Sequence, residues 1–188
     1  MMHLAEYRRK AARLADYLPW AALVAPGVVL NKDGSLQRTA RFRGPDLDSA
    51  VAAELVAVAA RINSAFRRLG SGWAIFVEAQ RRPAADYPDS RFPDPASALL
   101  DAERRAGFAD EGAHFQSAYF LTFLYLPPAE EAARAETWLY EGRERAGIDA
   151  GEVLRGFIDR CDRVLALFDG FMPECRWLDD AETLTYLH

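Results

Sequence analysis

The chain carries 188 residues, 51% of them hydrophobic, with 23 basic against 28 acidic side chains and a net charge of −5. That much apolar material supports one domain with a proper core and excludes a disordered chain. The acidic balance excludes a general nucleic-acid coat, which needs a basic excess to release counterions. No apolar run reaches the ~20 residues that span a bilayer; the nearest, residues 20–30, is broken by Pro26-Gly27. The basic patch Arg8-Arg9-Lys10 is followed by Arg13 and Asp16 rather than by a long apolar stretch, so no secretory signal is read there. Cys161 and Cys175 then read as reduced thiols, and the expectation is a soluble, cytoplasmic protein.

Residues 3–17 have helical periodicity, with Leu4, Tyr7, Ala11, Leu14 and Leu18 on one side and Arg8, Arg9, Lys10 and Arg13 toward the other. Two readings stay open: a basic amphipathic helix resting on an anionic membrane face, or an ordinary terminal helix docked on the domain. Pro19 ends the helix, and Trp20, Leu23 and Val24 are core or a lead-in segment. Residues 1–26 are therefore read as an amino-terminal helix and lead-in, and 27–188 as the domain.

The chain is organised around residues 27–43, GVVLNKDGSLQRTARFR. Val28, Val29 and Leu30 form a short apolar run, Asn31-Lys32-Asp33-Gly34 supplies turn chemistry, and Leu36, Arg38, Ala40 and Phe42 alternate with Gln37, Thr39 and Arg41. Asp-Gly between two strand-like runs predicts a hairpin. A long helix follows, capped by Asp48 or Ser49, with Val51, Leu55, Val58, Ile62, Phe66 and Leu69 in one stripe and Gly70 closing it. Arg61, Arg67 and Arg68 read as its solvated end.

Residues 73–80 predict a strand with Trp73, Ile75, Val77 and Ala79 on one face and Glu78 and Gln80 on the other. Glu78 reads as a solvated side chain, because a general base needs a partner group and a pocket. Residues 81–96 hold four prolines and exclude helix and central strand. They read as an exposed interaction arm bearing Arg81, Arg82 and Arg91, with Tyr87 and Phe92 as anchors. A short helix at 97–107 precedes an apolar strand at 116–126, expected to be buried on both faces and stopped by Pro127-Pro128. Residues 129–148, acidic and alanine-rich with Trp138, Leu139 and Tyr140, read as a loosely packed excursion.

Val153, Phe157, Cys161, Val164, Leu165 and Phe168 mark a second long helix, with Cys161 a small core residue rather than a nucleophile. Residues 174–178 suggest a last strand, and Asp179 a cap for a helix still in mid-pattern at His188, which reads as the end of a fragment. Strand, long helix, strand occurs twice (36–80 and 117–178), a crossover order that joins parallel strands. The expected fold is α+β: a mixed sheet with an antiparallel hairpin and two long helices packed on it.

The chemistry of a self-sufficient enzyme is missing from these residues. His3, His114 and His188 have no cysteine or carboxylate at ligand spacing, and no glycine-rich run leads into Lys-Ser or Lys-Thr as a phosphate loop requires. From the residues alone, a free-standing α+β enzyme built on Glu78 or on an arginine-lined pocket stays open. So does a weak nucleic-acid module using Arg61, Arg67, Arg68, Arg81 and Arg82.

The run Asp16-Tyr17-Leu18-Pro19-Trp20, the segment GVVLNKDGSLQRTARFRGPDLDSA, then RLGSGWAIFVEAQR with YPDSRFPDP, SAYFLTFLYLPP and CRWLDDAETLTYLH resemble the amino-terminal region of the CagE/TrbE/VirB family of conjugal-transfer and type IV secretion ATPases, most like its TrbE-type members. The resemblance implies an assembly and docking domain of an ATPase that energises transfer across the cell envelope. ATP and Mg would belong to a RecA-like carboxyl-terminal domain absent from this chain, and none of its motif residues occurs here. Implied partners are other type IV secretion inner-membrane components and neighbouring ATPase subunits, with peripheral contact to the inner membrane and no specific nucleic-acid binding. The docking residues proposed from sequence are Arg8, Arg9, Lys10, Arg13, Leu18, Trp20 and Leu23, with the arm (Arg81, Arg82, Tyr87, Phe92) second.

Overall fold

The computed structural model describes residues 14–46, 48–84, 87–110, 114–128 and 150–188. Helices α1 (Leu14–Tyr17), α2 (Ala52–Phe66), α3 (Pro95–Asp110), α4 (Ala150–Ala166) and α5 (Asp180–Leu187) accompany strands β1 (Trp20–Ala25), β2 (Val28–Asn31), β3 (Leu36–Arg43), β4 (Trp73–Pro83), β5 (Phe115–Tyr125) and β6 (Glu174–Trp177). The α+β class holds, with the expected hairpin at β2–β3 and the two long helices α2 and α4.

The six described strands make one sheet in the order β1-β2-β3-β5-β4, with β6 added beside β3. Every ladder between them is antiparallel, so the sheet is not mixed. Each crossover does join strands of the same direction, but it skips one position. Between β3 and β4 lies β5, and between β5 and β6 lies β3, the split β-α-β arrangement. Strand β3 is the hub. Along one edge Leu36–Phe42 pair with β5, and along the other Leu36–Arg38 pair with β2 and Ala40–Arg43 with β6.

Residues 20–25, expected as part of a lead-in, are instead an edge strand closed onto β2 by Pro26-Gly27, with Ala25 paired to Val28. Proline at the first turn position and Gly27 at φ +64° at the second is the residue pattern of a type II turn. The β2–β3 loop differs from the two-residue form that Asp-Gly suggests. Asn31 N–H donates to Ser35 O (2.8 Å) and Gly34 N–H to Asn31 O (3.0 Å), leaving a three-residue loop with Gly34 at φ +83°.

The core lies on one face of the sheet. Val28, Leu30, Leu36, Ala40, Leu121 and Phe123 from the strands meet Ala65 and Leu69 from and after α2, and Phe157, Cys161, Val164, Leu165 and Phe168 from and after α4. Phe66 stands edge-on to Phe168 (5.6 Å) and Phe123 (6.4 Å), and Trp73 stacks on Phe157 (5.4 Å). Each fully buried phenylalanine contributes about 1.5–3 kcal/mol. The predicted apolar stripe is used only in its second half: Ile62, Phe66 and Leu69 pack, whereas Val51 and Leu55 stay exposed. Nor do Asp48 or Ser49 cap this helix. The N-cap is Val51, whose N–H donates to the Glu54 carboxylate (3.1 Å).

Helix α5 covers the opposite face, which explains a buried polar pair that strand alternation would have placed in solvent. Thr39 and Thr122 are both buried and share a hydrogen bond of 2.9 Å beneath Tyr186. Phe120 packs on the Tyr186 ring at 4.8 Å. Asp179 caps α5 as expected, accepting from Glu182 N–H (2.8 Å). Strand β5 is buried on both faces only around Leu121, Thr122 and Phe123, and its first half is largely exposed.

Candidate docking surfaces

Of the amino-terminal set, Arg8, Arg9, Lys10 and Arg13 lie outside the described residues. Leu18 and Trp20 are half-buried, the Trp20 ring standing edge-on to His188 at 6.5 Å. Leu23 faces outward on β1, and Leu14 and Tyr17 are exposed on α1. Pro19 O accepts from Lys32 N–H (2.8 Å), fastening this segment to the β2–β3 loop. The excursion at 129–148 also lies outside the described residues.

The arm divides in two. Arg81 and Arg82 do not belong to a free loop: they extend β4, paired with Ser117 and Gln116, and their side chains leave opposite faces of the sheet. Proline is tolerated at position 83 because β4 is an edge strand. Arg81 lies over the Phe115 ring (4.5 Å), and Arg82 donates to Gln80 (2.7 Å).

Tyr87 and Phe92 instead belong with α3. The Tyr87 hydroxyl donates to Asp101 (2.8 Å), a bond that raises its pKa above the usual phenol value. Its ring meets Phe108 (5.6 Å) and the Arg105 guanidinium (4.9 Å). Phe108 in turn stacks on His114 at 3.9 Å, whose Nε2 lies 2.9 Å from Phe108 O. Phe92 is 43% exposed at the rim of a cavity of about 420 Å³ shared with Asp101 and Arg105.

Helix α3 is longer than the expected 97–107. Pro95 suits its first position, and the Asp94 carboxylate accepts from Ser97 N–H and Oγ, bonds that hold its pKa down. Sequence reasoning missed Asp101, Arg105, Phe108 and His114 as partners of the arm. The i,i+4 spacing of Asp101 and Arg105 was the available signal.

Of the residues of the other readings, Arg61 sits 5.9 Å over the Phe171 ring, and Arg81 and Arg82 diverge on β4. Glu78 accepts from the Tyr186 hydroxyl (2.8 Å) and from Gln80 Nε2 (2.9 Å), so it links β4 to α5 on an exposed surface. Burial pushes the thiols of Cys161 up to about 12 and Cys175 up to about 11, away from nucleophilic use. Among the described residues no three His, Cys, Asp or Glu side chains gather as a metal site, and no helix is long and apolar enough to cross a membrane.

The sequence model of the type IV secretion system ATPase VirB4/TrbE N-terminal domain matches residues 27–133, from the β1–β2 turn through β5. The chain belongs to this family. It is 41% identical over 161 residues to the conjugal transfer protein TrbE of Rhizobium radiobacter, covering 84% of this chain and 20% of that protein. A shorter relative from Sinorhizobium fredii (strain NBRC 101917 / NGR234), named as the first portion of a probable conjugal transfer protein TrbE, is 43% identical over 139 residues, covering 72% of this chain and 93% of that one. The type IV secretion system protein virB4 of Brucella suis biovar 1 is 28% identical over 122 residues, 64% of this chain and 15% of that protein. The chain thus spans a fifth of the Rhizobium relative. The matched residues include the hairpin hub, α2, the β4–β5 ladder and α3, and with them the Tyr87–Phe92 arm, whereas the amino-terminal candidate on α1 and β1 lies before them.

Proposed function

We propose that this domain is the assembly and docking module of a conjugal-transfer type IV secretion ATPase. It seats the ATPase on the cytoplasmic side against inner-membrane components and neighbouring subunits, peripheral to the membrane. ATP and Mg belong to a nucleotide-hydrolysing part outside this chain. Family membership supports the system, and the absence of a phosphate-loop motif from the 188 residues supports the division of labour.

The observation that carries the docking surface is the exposed apolar line Leu14, Tyr17 and Leu23, which leads from the basic run Arg8-Arg9-Lys10 and Arg13 into edge strand β1. Each basic side chain near an anionic leaflet contributes about 1 kcal/mol, and the apolar residues add insertion. The attachment is reversible and strengthened by a membrane-embedded partner. Residues 2–17 precede β1, so deleting them removes no strand of the sheet. The truncated chain is expected to keep its far-ultraviolet dichroism and melting temperature while losing flotation with anionic vesicles. Flotation equal to that of the intact chain overturns this location and moves docking to the Tyr87–Phe92 arm.

A further inference from the structure

Three described strands lie at edges of the sheet, and two of them are poor templates for a further strand. Two register shifts interrupt the β1–β2 ladder, and β6 has only four residues. Strand β4 is different: its ladder runs unbroken for eleven residues, from Trp73 opposite Tyr125 to Pro83 opposite Phe115, and among the described residues β5 is its sole neighbour. Midway along it Phe76 and Val77 are 56% and 66% exposed.

The hydrogen bonds show which backbone groups are open. Ala84 N–H donates to His114 O and Leu126 N–H to Gly72 O, so even-numbered residues of this strand spend their polar groups on β5. The N–H and C=O groups of Val77, Ala79 and Arg81 therefore point outward. Pro83 falls in the same outward set, where its missing N–H takes nothing from the β5 ladder but leaves a further strand only its C=O at that end.

We propose that this edge is a homotypic contact, in which two copies of the chain pair β4 to β4, antiparallel through residues 77–83, about a two-fold axis at Gln80. The side chains select this register. Glu78, Gln80 and Arg82 share one face and already form a line of hydrogen bonds, Arg82 to Gln80 (2.7 Å) and Gln80 to Glu78 (2.9 Å). An antiparallel copy presents the line reversed, so each Glu78 faces an Arg82 and the two Gln80 side chains meet on the axis. Sliding by one step puts Glu78 against Gln80, and by a further step Glu78 against Glu78, losing the pairs and then opposing like charges. On the other face Val77 meets Pro83, and Ala79 meets the aliphatic stem of Arg81. The inference stands on the strand edge and does not depend on the membrane reading.

Sedimentation equilibrium of the 188-residue chain over increasing concentration is expected to show a reversible dimer. Glu78→Arg and Arg82→Glu each place like charges at both pairs and should weaken association by roughly tenfold or more. Mixing these two variants re-creates both pairs and should restore a heterodimer, which also shows that both variants fold. Gln80→Cys should give a disulfide-linked dimer under mild oxidation, while the parent chain, with Cys161 buried and Cys175 half-buried, does not. A chain that stays monomeric throughout, single variants that associate like the parent, or a mixture that stays monomeric would each overturn the proposal.

Discussion

Gly27 is held by three demands at once. Its φ of +64° lies in the left-handed region, its N–H donates to the Asp180 carboxylate (2.7 Å), and a Cβ there would overlap the Leu178 carbonyl oxygen. Gly34, at φ +83°, is held by its backbone angle and by a local bond to Asn31 O. Left-handed backbone costs an L-residue about 1–2 kcal/mol, and displacing a backbone carbonyl adds to that. Gly27→Ala should therefore destabilise by roughly 2–3 kcal/mol and Gly34→Ala by about 1–2 kcal/mol in urea titrations. Equal losses would show that the β1–β2 turn does not press on the strand-to-helix junction before α5. Arg38 is the other residue whose setting decides its role. Its side chain is 12% exposed, bonded to Asp162 (2.7 Å), and lies 4.1 Å over the Trp177 ring, whose Nε1 donates to the same carboxylate (2.7 Å). One guanidinium thus joins β3, α4 and β6.

At the scale of elements, α5 is short and depends on its cap and on one ion pair. Glu182 Oε2 accepts from Asp179 N–H (3.1 Å) while Arg176 on β6 grips both carboxylate oxygens at 2.7 Å. The Arg176 bonds, with the cap bond second, lower the Glu182 pKa from 4.5 to about 2. A carboxylate held below its unfolded value stabilises the native state above that value. The contribution is complete above about pH 4.5 and is lost as pH falls toward about 2. Helix α5 should loosen over that interval before the core does, seen as earlier exchange of its amides. Glu182→Gln should remove this step while leaving the later unfolding in place. A parent and variant with the same acid profile would assign the loosening to other carboxylates.

Across the described residues, the sheet is most deeply buried where both of its faces are covered. Leu121, Thr122 and Phe123 are buried between α2 and α4 on one side and α5 on the other, while Phe115 and Tyr119 are 48% and 39% exposed. Hydrogen exchange should follow this gradient along β5, slowest at 121–123 and faster at 115–117. Uniform protection along the strand would mean that the projecting β4–β5 ladder is as firmly held as the centre. The projection leads into α3 and the Tyr87–Phe108–His114 cluster, the second of the proposed docking surfaces.

Local signals in the sequence determined the β2–β3 hairpin, the helix around Phe157 and Cys161 and the Asp179 cap. Each rests on neighbours within one turn or one strand: glycine at a positive φ, a 3.6-residue stripe, an aspartate three residues before Glu182. Strand adjacency was a tertiary decision. Crossover order sets the direction of β3 and β4 but not that β5 slips between them, since pairing depends on residues far apart in the chain. Coverage was decided in the same way. Thr39 alternates like a solvent-facing residue and is buried only because α5 closes over it, and Val51 and Leu55 read as core yet remain exposed because the apolar layer of the sheet meets α2 only from its later turns.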